Sequence, residues 1–160
     1  MKIALGADHA GFELKQKVRE HLEKNGYQVE DEGTVSNESV DYPDFAKKVA
    51  EDVVGKRADV GILVCGSGVG MAIAANKVPG IRAANVSSEY EAQYSREHNN
   101  ANVLAIGARI LDEPKAMTIV DKWLGTAFAG GRHQRRVDKI SAIEKEECEK
   151  ICNVPPEKKA

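Results

Sequence analysis

Cys65 runs directly into a glycine-dense turn, Gly66-Ser67-Gly68-Val69-Gly70. Three glycines in five residues let the backbone approach a ligand closely and turn its N–H groups inward. From Met71 the residues Met71-Ala72-Ile73-Ala74-Ala75-Asn76-Lys77 favour a helix, whose N-terminus adds partial positive charge behind the turn. A thiol held there can act as base or nucleophile while the N–H groups hold an anion. One such oxyanion donor contributes about 3–4 kcal/mol where it has been measured. Ser67, two residues on, can donate a proton. The alternative is a tight strand–helix connection closing on a structural cysteine.

The glycine spacing does not fit the nucleotide motifs. It is Gly-x-Gly-x-Gly, not Gly-x-Gly-x-x-Gly, it follows the third predicted strand, and no acidic residue stands ready as a ribose partner. No Gly-Lys-Ser/Thr follows it either. Of the four histidines, His9, His98 and His133 occupy loop or helix-end positions, and His21, among Arg19, Glu20 and Glu23, reads as a solvated helix residue. Asp8 beside His9 can orient an imidazole and set its tautomer. Arg132 and Arg136 fall one helical turn apart at a predicted helix start, a spacing that suits a doubly charged phosphate as well as a solvated basic face. Together these groups suit a phosphorylated small molecule with an acidic carbon beside a carbonyl. The thiolate removes the proton, the turn holds an enediolate and the arginines anchor the phosphate. No His-x-His or Cys-x-x-Cys spacing argues for a metal, and this chemistry calls for no cofactor.

The elements that must position these groups alternate. Strands are predicted at Lys2–Gly6, Tyr27–Asp31, Val60–Val64, Ile81–Val86 and Asn102–Gly107, and helices from Phe12 to Lys24, after Pro43, from Met71, after Ser88 and from Asp112. Gly130-Gly131 breaks the fifth helix, and a charged helix runs from about His133 to Ile151. Five strand–helix alternations without a long linker predict an α/β fold: a three-layer αβα sandwich on a Rossmann-like, five-stranded parallel sheet with a C-terminal helix extension. Residues 1–151 form one domain in this reading, and residues 152–160 a flexible tail. Ligands of such sheets bind beyond the carboxyl ends of the strands, where Asp8-His9, Cys65 with its glycines, and Arg109 fall.

Composition narrows the class. The 160 residues are 42% apolar and 30% charged with net charge -2, an ordinary globular balance with no electrostatic case for nucleic acid or an acidic membrane. No apolar run reaches a bilayer span and no basic-then-apolar leader opens the chain. Three cysteines suggest a reducing, cytoplasmic setting. Cys148 and Cys152 lie four apart with no histidine nearby and read as incidental thiols.

Five stretches carry a resemblance. They are Gly6-Ala7-Asp8-His9-Ala10-Gly11-Phe12, Asp41-Tyr42-Pro43-Asp44, Cys65 to Gly70 with Ala74-Ala75-Asn76-Lys77, Ser95-Arg96-Glu97-His98-Asn99, and Gly130 to Arg136. Spread over most of the chain in this order, they resemble the type B ribose-5-phosphate isomerases, grouped with the galactose-6-phosphate isomerases. The resemblance implies interconversion of D-ribose 5-phosphate and D-ribulose 5-phosphate in pentose phosphate metabolism, without a cofactor. By it, Cys65 is the base between C1 and C2, Ser67 assists proton transfer at the substrate oxygens, and Gly66, Gly68, Val69 and Gly70 form the anion hole. His98 assists furanose opening, Asp8 and Asn99 touch the sugar, and Tyr42 lies near the ring. His9, Arg132 and Arg136 hold the phosphate, with Arg109 contributing from the other subunit. A homodimer or tetramer with the site at the subunit interface is implied. Ser67 stands where many members have Thr, which keeps the hydroxyl. Ala72-Ile73-Ala74-Ala75 lacks the Glu some members use as base, which places the chain in the cysteine-using branch. The arginine run favours the pentose enzyme over a hexose-6-phosphate isomerase (allose or galactose 6-phosphate), the nearest alternative. A phospho-ligand-binding or thiol-redox protein with Cys65 as sensor is the alternative of another class.

Overall fold

The computed structural model describes residues 1–153. Five strands form: β1 (Lys2–Ala7), β2 (Gln28–Asp31), β3 (Val60–Cys65), β4 (Ala83–Asn85) and β5 (Val103–Gly107), of which β1, β3 and β5 are the apolar runs. They form one all-parallel sheet in the order β2-β1-β3-β5-β4. β3 is central and buried at every residue, as a strand covered on both faces must be.

Six helices connect and follow the strands: α1 (Phe12–Lys24), α2 (Tyr42–Val54), α3 (Val69–Ala75), α4 (Glu89–Glu97), α5 (Glu113–Leu124) and α6 (Arg132–Cys152). Alternate residues of β3 serve opposite layers. Ile62 and Val64 join Leu14, Val18, Leu22, Ile119 and the fully buried Trp123 under α1 and α5. Leu63 and Cys65 join Ala46, Val49, Val53 and Met71 under α2 and α3. Burial of these two apolar sets is the main driving force for the fold, and the sandwich is the three-layer αβα arrangement expected.

Local chemistry sets the helix ends. Ser88 accepts the Glu91 N–H at 3.2 Å and Asp112 the Lys115 N–H at 2.9 Å, the N-cap role of short polar side chains. α3 begins at Val69, two residues before the predicted start, because Gly68 is already its cap. β4 is shorter than the predicted Ile81–Val86 stretch. It is an edge strand paired only with β5, and the Asn76 side chain saturates its outer rim, accepting the Ala83 N–H at 2.7 Å and donating to the Ala83 carbonyl at 2.9 Å. His21, a quarter of whose side chain is exposed, also has a partner: its Nε2 meets Asp121 Oδ1 at 2.7 Å, tying α1 to α5. Only His133 and Val137 of α6 are buried, so this extension leaves the body of the sandwich. Of the tail assigned to 152–160, Cys152 closes α6 and Asn153 lies in a turn; residues 154–160 fall outside the described residues. Among the described residues no helix is long and apolar enough to cross a membrane.

The chain leaves β1 for α1 on one face and β3 for α3 on the other, which opens a crevice between their carboxyl ends. Two glycines set its walls. A Cβ on Gly11 would stand 2.3 Å from the Val64 carbonyl oxygen and 2.9 Å from the Cys65 nitrogen, and one on Gly107 would stand 2.7 Å from the Ser67 carbonyl carbon. All are backbone atoms with nowhere to go. We therefore expect Gly11→Ala to lower the free energy of unfolding in urea by about 2–3 kcal/mol, as overpacking does; an unchanged midpoint would mean that α1 slides outward at no cost.

Candidate active site

A cleft of about 420 Å³ opens at the carboxyl ends of β1, β3 and β5. Cys65, the last residue of β3, points toward the α2–α3 layer and is buried. Its Sγ accepts the Gly68 N–H at 3.1 Å, a contact by which a backbone dipole solvates negative charge on sulfur. Gly68 sits at φ +83°, and a Cβ there would stand 2.2 Å from Asn85 Oδ1, so both conformation and space demand glycine. Ser67 is exposed, with Oγ accepting the Val69 N–H at 3.3 Å. The N–H groups of Gly68 and Val69 are thus committed, which leaves those of Gly66, Ser67 and Gly70 to serve as anion donors.

The neighbouring loops are tied to this turn. The Asp8 N–H donates to the Val64 carbonyl at 3.2 Å, that of Ala108 to the Cys65 carbonyl at 2.8 Å, and that of Arg109 to the Gly66 carbonyl at 3.0 Å. The buried Asp8 carboxylate accepts the Gly11 N–H at 3.0 Å and does not orient His9, contrary to the expectation from their adjacency. His9 is set instead by the Val40 N–H, donated to Nδ1 at 3.2 Å. A neutral ring accepting there carries its proton on Nε2, so His9 offers a donor to a ligand. Tyr42, at the start of α2, lays its ring against Gly70, where a Cβ would stand 2.8 Å from Cζ. Arg109 lies beside Gly66, where a Cβ would stand 3.4 Å from Nη1, and lines the cleft of its own chain. The cleft therefore brings together Asp8, His9, Tyr42, Cys65, Gly66, Ser67, Gly70 and Arg109.

His98, Asn99, Arg132 and Arg136 do not line that cleft. α4 runs back against the strand direction and ends at His98, so His98 lies where β5 begins, whereas Cys65 is in register with Gly107 where β5 ends. The four steps from Val103 to Gly107 along β5 put about 13 Å between the two levels. The chain returns to His98 at the start of α6. The His133 ring stacks on His98 with centroids 4.1 Å apart and planes 7° apart, between Arg132 and Arg136 in sequence. Burial, then His98, Arg132 and Arg136, hold the His133 ring below the ordinary histidine range, against the opposite pull of Glu97. Sequence reasoning placed His133 only at a helix end; the Tyr90, Tyr94, His98 spacing of four was the one hint of an aromatic column there. A larger cavity, about 720 Å³, runs between α6 and the β4 edge, bordered by Asn99, Ile140, Ile143 and Ile151. It contains no part of the glycine turn, so the smaller cleft is the place for chemistry.

The chain is similar to known proteins in sequence and fold. The profile of a family described as Ribose/Galactose Isomerase matches residues 3–140. Ribose-5-phosphate isomerase B of Escherichia coli K12 is 54% identical over 143 residues, which is 89% of this chain and 96% of the relative. Among solved structures, ribose-5-phosphate isomerase B of Clostridium thermocellum superimposes with a TM-score of 0.91 at 55% identity, over 92% of this chain and 99% of that one. Ribose-5-phosphate isomerase B of Mycoplasma genitalium, solved with bound ribulose-5-phosphate, gives 0.87 at 46% identity, over 91% and 97%. With a profile match across most of its length and relatives of this identity, the chain belongs to the ribose/galactose isomerase family.

Proposed function

We propose that this protein interconverts D-ribose 5-phosphate and D-ribulose 5-phosphate by proton transfer through an enediolate. The observation that carries the reading is Cys65 Sγ, held by the Gly68 N–H at 3.1 Å inside a glycine turn that opens on the cleft. In the open-chain aldose the thiolate takes the C2 proton and returns it to C1, and Ser67 carries the accompanying proton between O1 and O2. Donors of the glycine turn stabilise the oxyanion of the intermediate, where preorganised N–H groups contribute most. The relatives' names put the five-carbon substrate ahead of a six-carbon one.

The site takes its remaining parts from a second copy of the chain. His98, Asn99, Arg132 and Arg136 lie at the far end of the sheet from their own Cys65, and one substrate cannot touch both levels. An isologous pair brings the two levels together twice. The exposed apolar residues Val69, Ile73 and Ile110 around the cleft, and Ile140 and Ile143 on α6, supply a surface for such a partner. In this assembly Arg132 and Arg136 hold the phosphate with His9 and Arg109, and His98 assists ring opening.

Cys65→Ala removes only the base, so kcat for ribose 5-phosphate should fall by about 10²–10⁴-fold while the dissociation constant for substrate, measured by calorimetry, stays within a few-fold. A loss of binding equal to the loss of turnover would move Cys65 to a structural role. The shared site has its own test. Mixing Cys65→Ala with His98→Ala protein and allowing subunit exchange should restore about a quarter of wild-type activity, because each hybrid dimer contains one intact site. Mixtures no more active than their components would place the whole site in one chain.

A further inference from the structure

We propose that His133 is a positioning residue for ring opening: stacked face to face on His98, it fixes the plane in which His98 meets the substrate. The inference rests on the isomerase reading above and assigns a task within that site.

His98 is the C-cap of α4, beyond the last turn that would confine its side chain. Among the described residues no side-chain hydrogen bond is made by either of its ring nitrogens, so both edges remain free for a substrate and neither sets the ring. Orientation must come from its faces. The α4 column reaches it as tilted contacts, Tyr90 to Tyr94 at 4.4 Å and 51°, then Tyr94 to His98 at 4.5 Å and 49°. Only the contact with His133 is parallel, at 4.1 Å and 7°.

His133 is itself immobilised. It is 7% exposed, its N–H donates to the Gly130 carbonyl at 3.0 Å, and the Ala129 N–H donates to the Glu97 carbonyl at 3.0 Å, which stitches the approach to α6 onto the end of α4. Opening the furanose breaks C1–O4, makes C1=O1 and moves one proton from O1 to O4. The group that relays that proton must present a nitrogen edge to both oxygens, which a fixed plane allows. The charged and titratable groups facing the pair are Tyr94 and Glu97 from α4 and Arg132 and Arg136 from α6. Two parallel imidazoles at this distance do not both carry charge. Burial, then His98 and the two arginines, lower the His133 pKa, so a proton on His133 is disfavoured within the stack.

The test separates ring opening from carbon chemistry. Ribulose 5-phosphate is acyclic, so exchange of its C1 proton with D₂O requires Cys65 but no ring step. For His133→Asn we expect kcat with ribose 5-phosphate to fall about 10–100-fold, the scale of a misplaced catalytic group, with C1 exchange near the wild-type rate. His133→Phe restores a flat stacking face and should recover most of the isomerisation. Equal loss of exchange and isomerisation in both variants, or wild-type turnover in His133→Asn, would overturn the proposal. Isomerisation that stays low in His133→Phe while exchange is intact would overturn it too, because stacking would not be what His133 supplies. Wild-type protein inactive toward ribose 5-phosphate and unable to exchange the C1 proton would instead remove the isomerase reading, and this inference with it.

Discussion

Everything in the cleft depends on how closely three backbones approach at the end of β3. Gly11 and Gly107 bring the loops after β1 and β5 against the Val64–Ser67 peptide groups, where no Cβ fits. That contact is what allows the Asp8, Ala108 and Arg109 N–H groups to reach the Val64, Cys65 and Gly66 carbonyls. The three loops thereby become one unit. The Cys65 sulfur, the Asp8 carboxylate and the Arg109 guanidinium keep their mutual placement, and little reorganisation is left for the moment when charge develops on a substrate. The sandwich beneath supplies rigidity. Cys65 ends a strand with no exposed residue, in a core too dense to let one strand move alone.

The same parallel topology underlies the proposed division of the site between two chains. Each helix must return the chain to the amino end of the next strand, so whatever sits at a helix C-terminus lies a sheet's width from whatever sits at a strand's carboxyl end. His98 and Cys65 are such a pair. A single chain could join them only with a long excursion over the sheet edge, and none of the loops among the described residues makes one. Pairing two chains needs no new loop. It adds the desolvation of apolar residues such as Val69 and Ile73 that a single chain leaves in water, which favours association.

Much of this was legible in the residues. The five strands, the N-cap at Ser88 and the helix start at Asp112 follow from apolar runs, punctuation and short polar side chains, which act within a few residues of one another. The Cys65 turn was legible for the same reason, since strand end, glycines and helix start are contiguous. What depended on distant partners was not. His9 is held by Val40, 31 residues away, and not by the adjacent Asp8. His21 is held by Asp121. β4 starts at Ala83, where the Asn76 side chain bonds both its N–H and its carbonyl, and Arg109 lines its own chain's cleft, its N–H closing on the Gly66 carbonyl. Sequence spacing shows which groups are near along the chain, and tertiary pairing then chooses among them.

Electrostatics at the His98 end joins recognition to positioning. With a net charge of -2 over the whole chain, no long-range field gathers a phosphorylated ligand, and attraction has to come from local cations. Arg132 and Arg136 are both exposed and stand one turn apart at the start of α6, placed to meet a doubly charged group. The same two charges flank His133 and disfavour a third on its ring, which burial already penalises. In the proposed site the same two arginines both hold the phosphate and disfavour a proton on the stacked His133. A change of charge at either arginine acts on both.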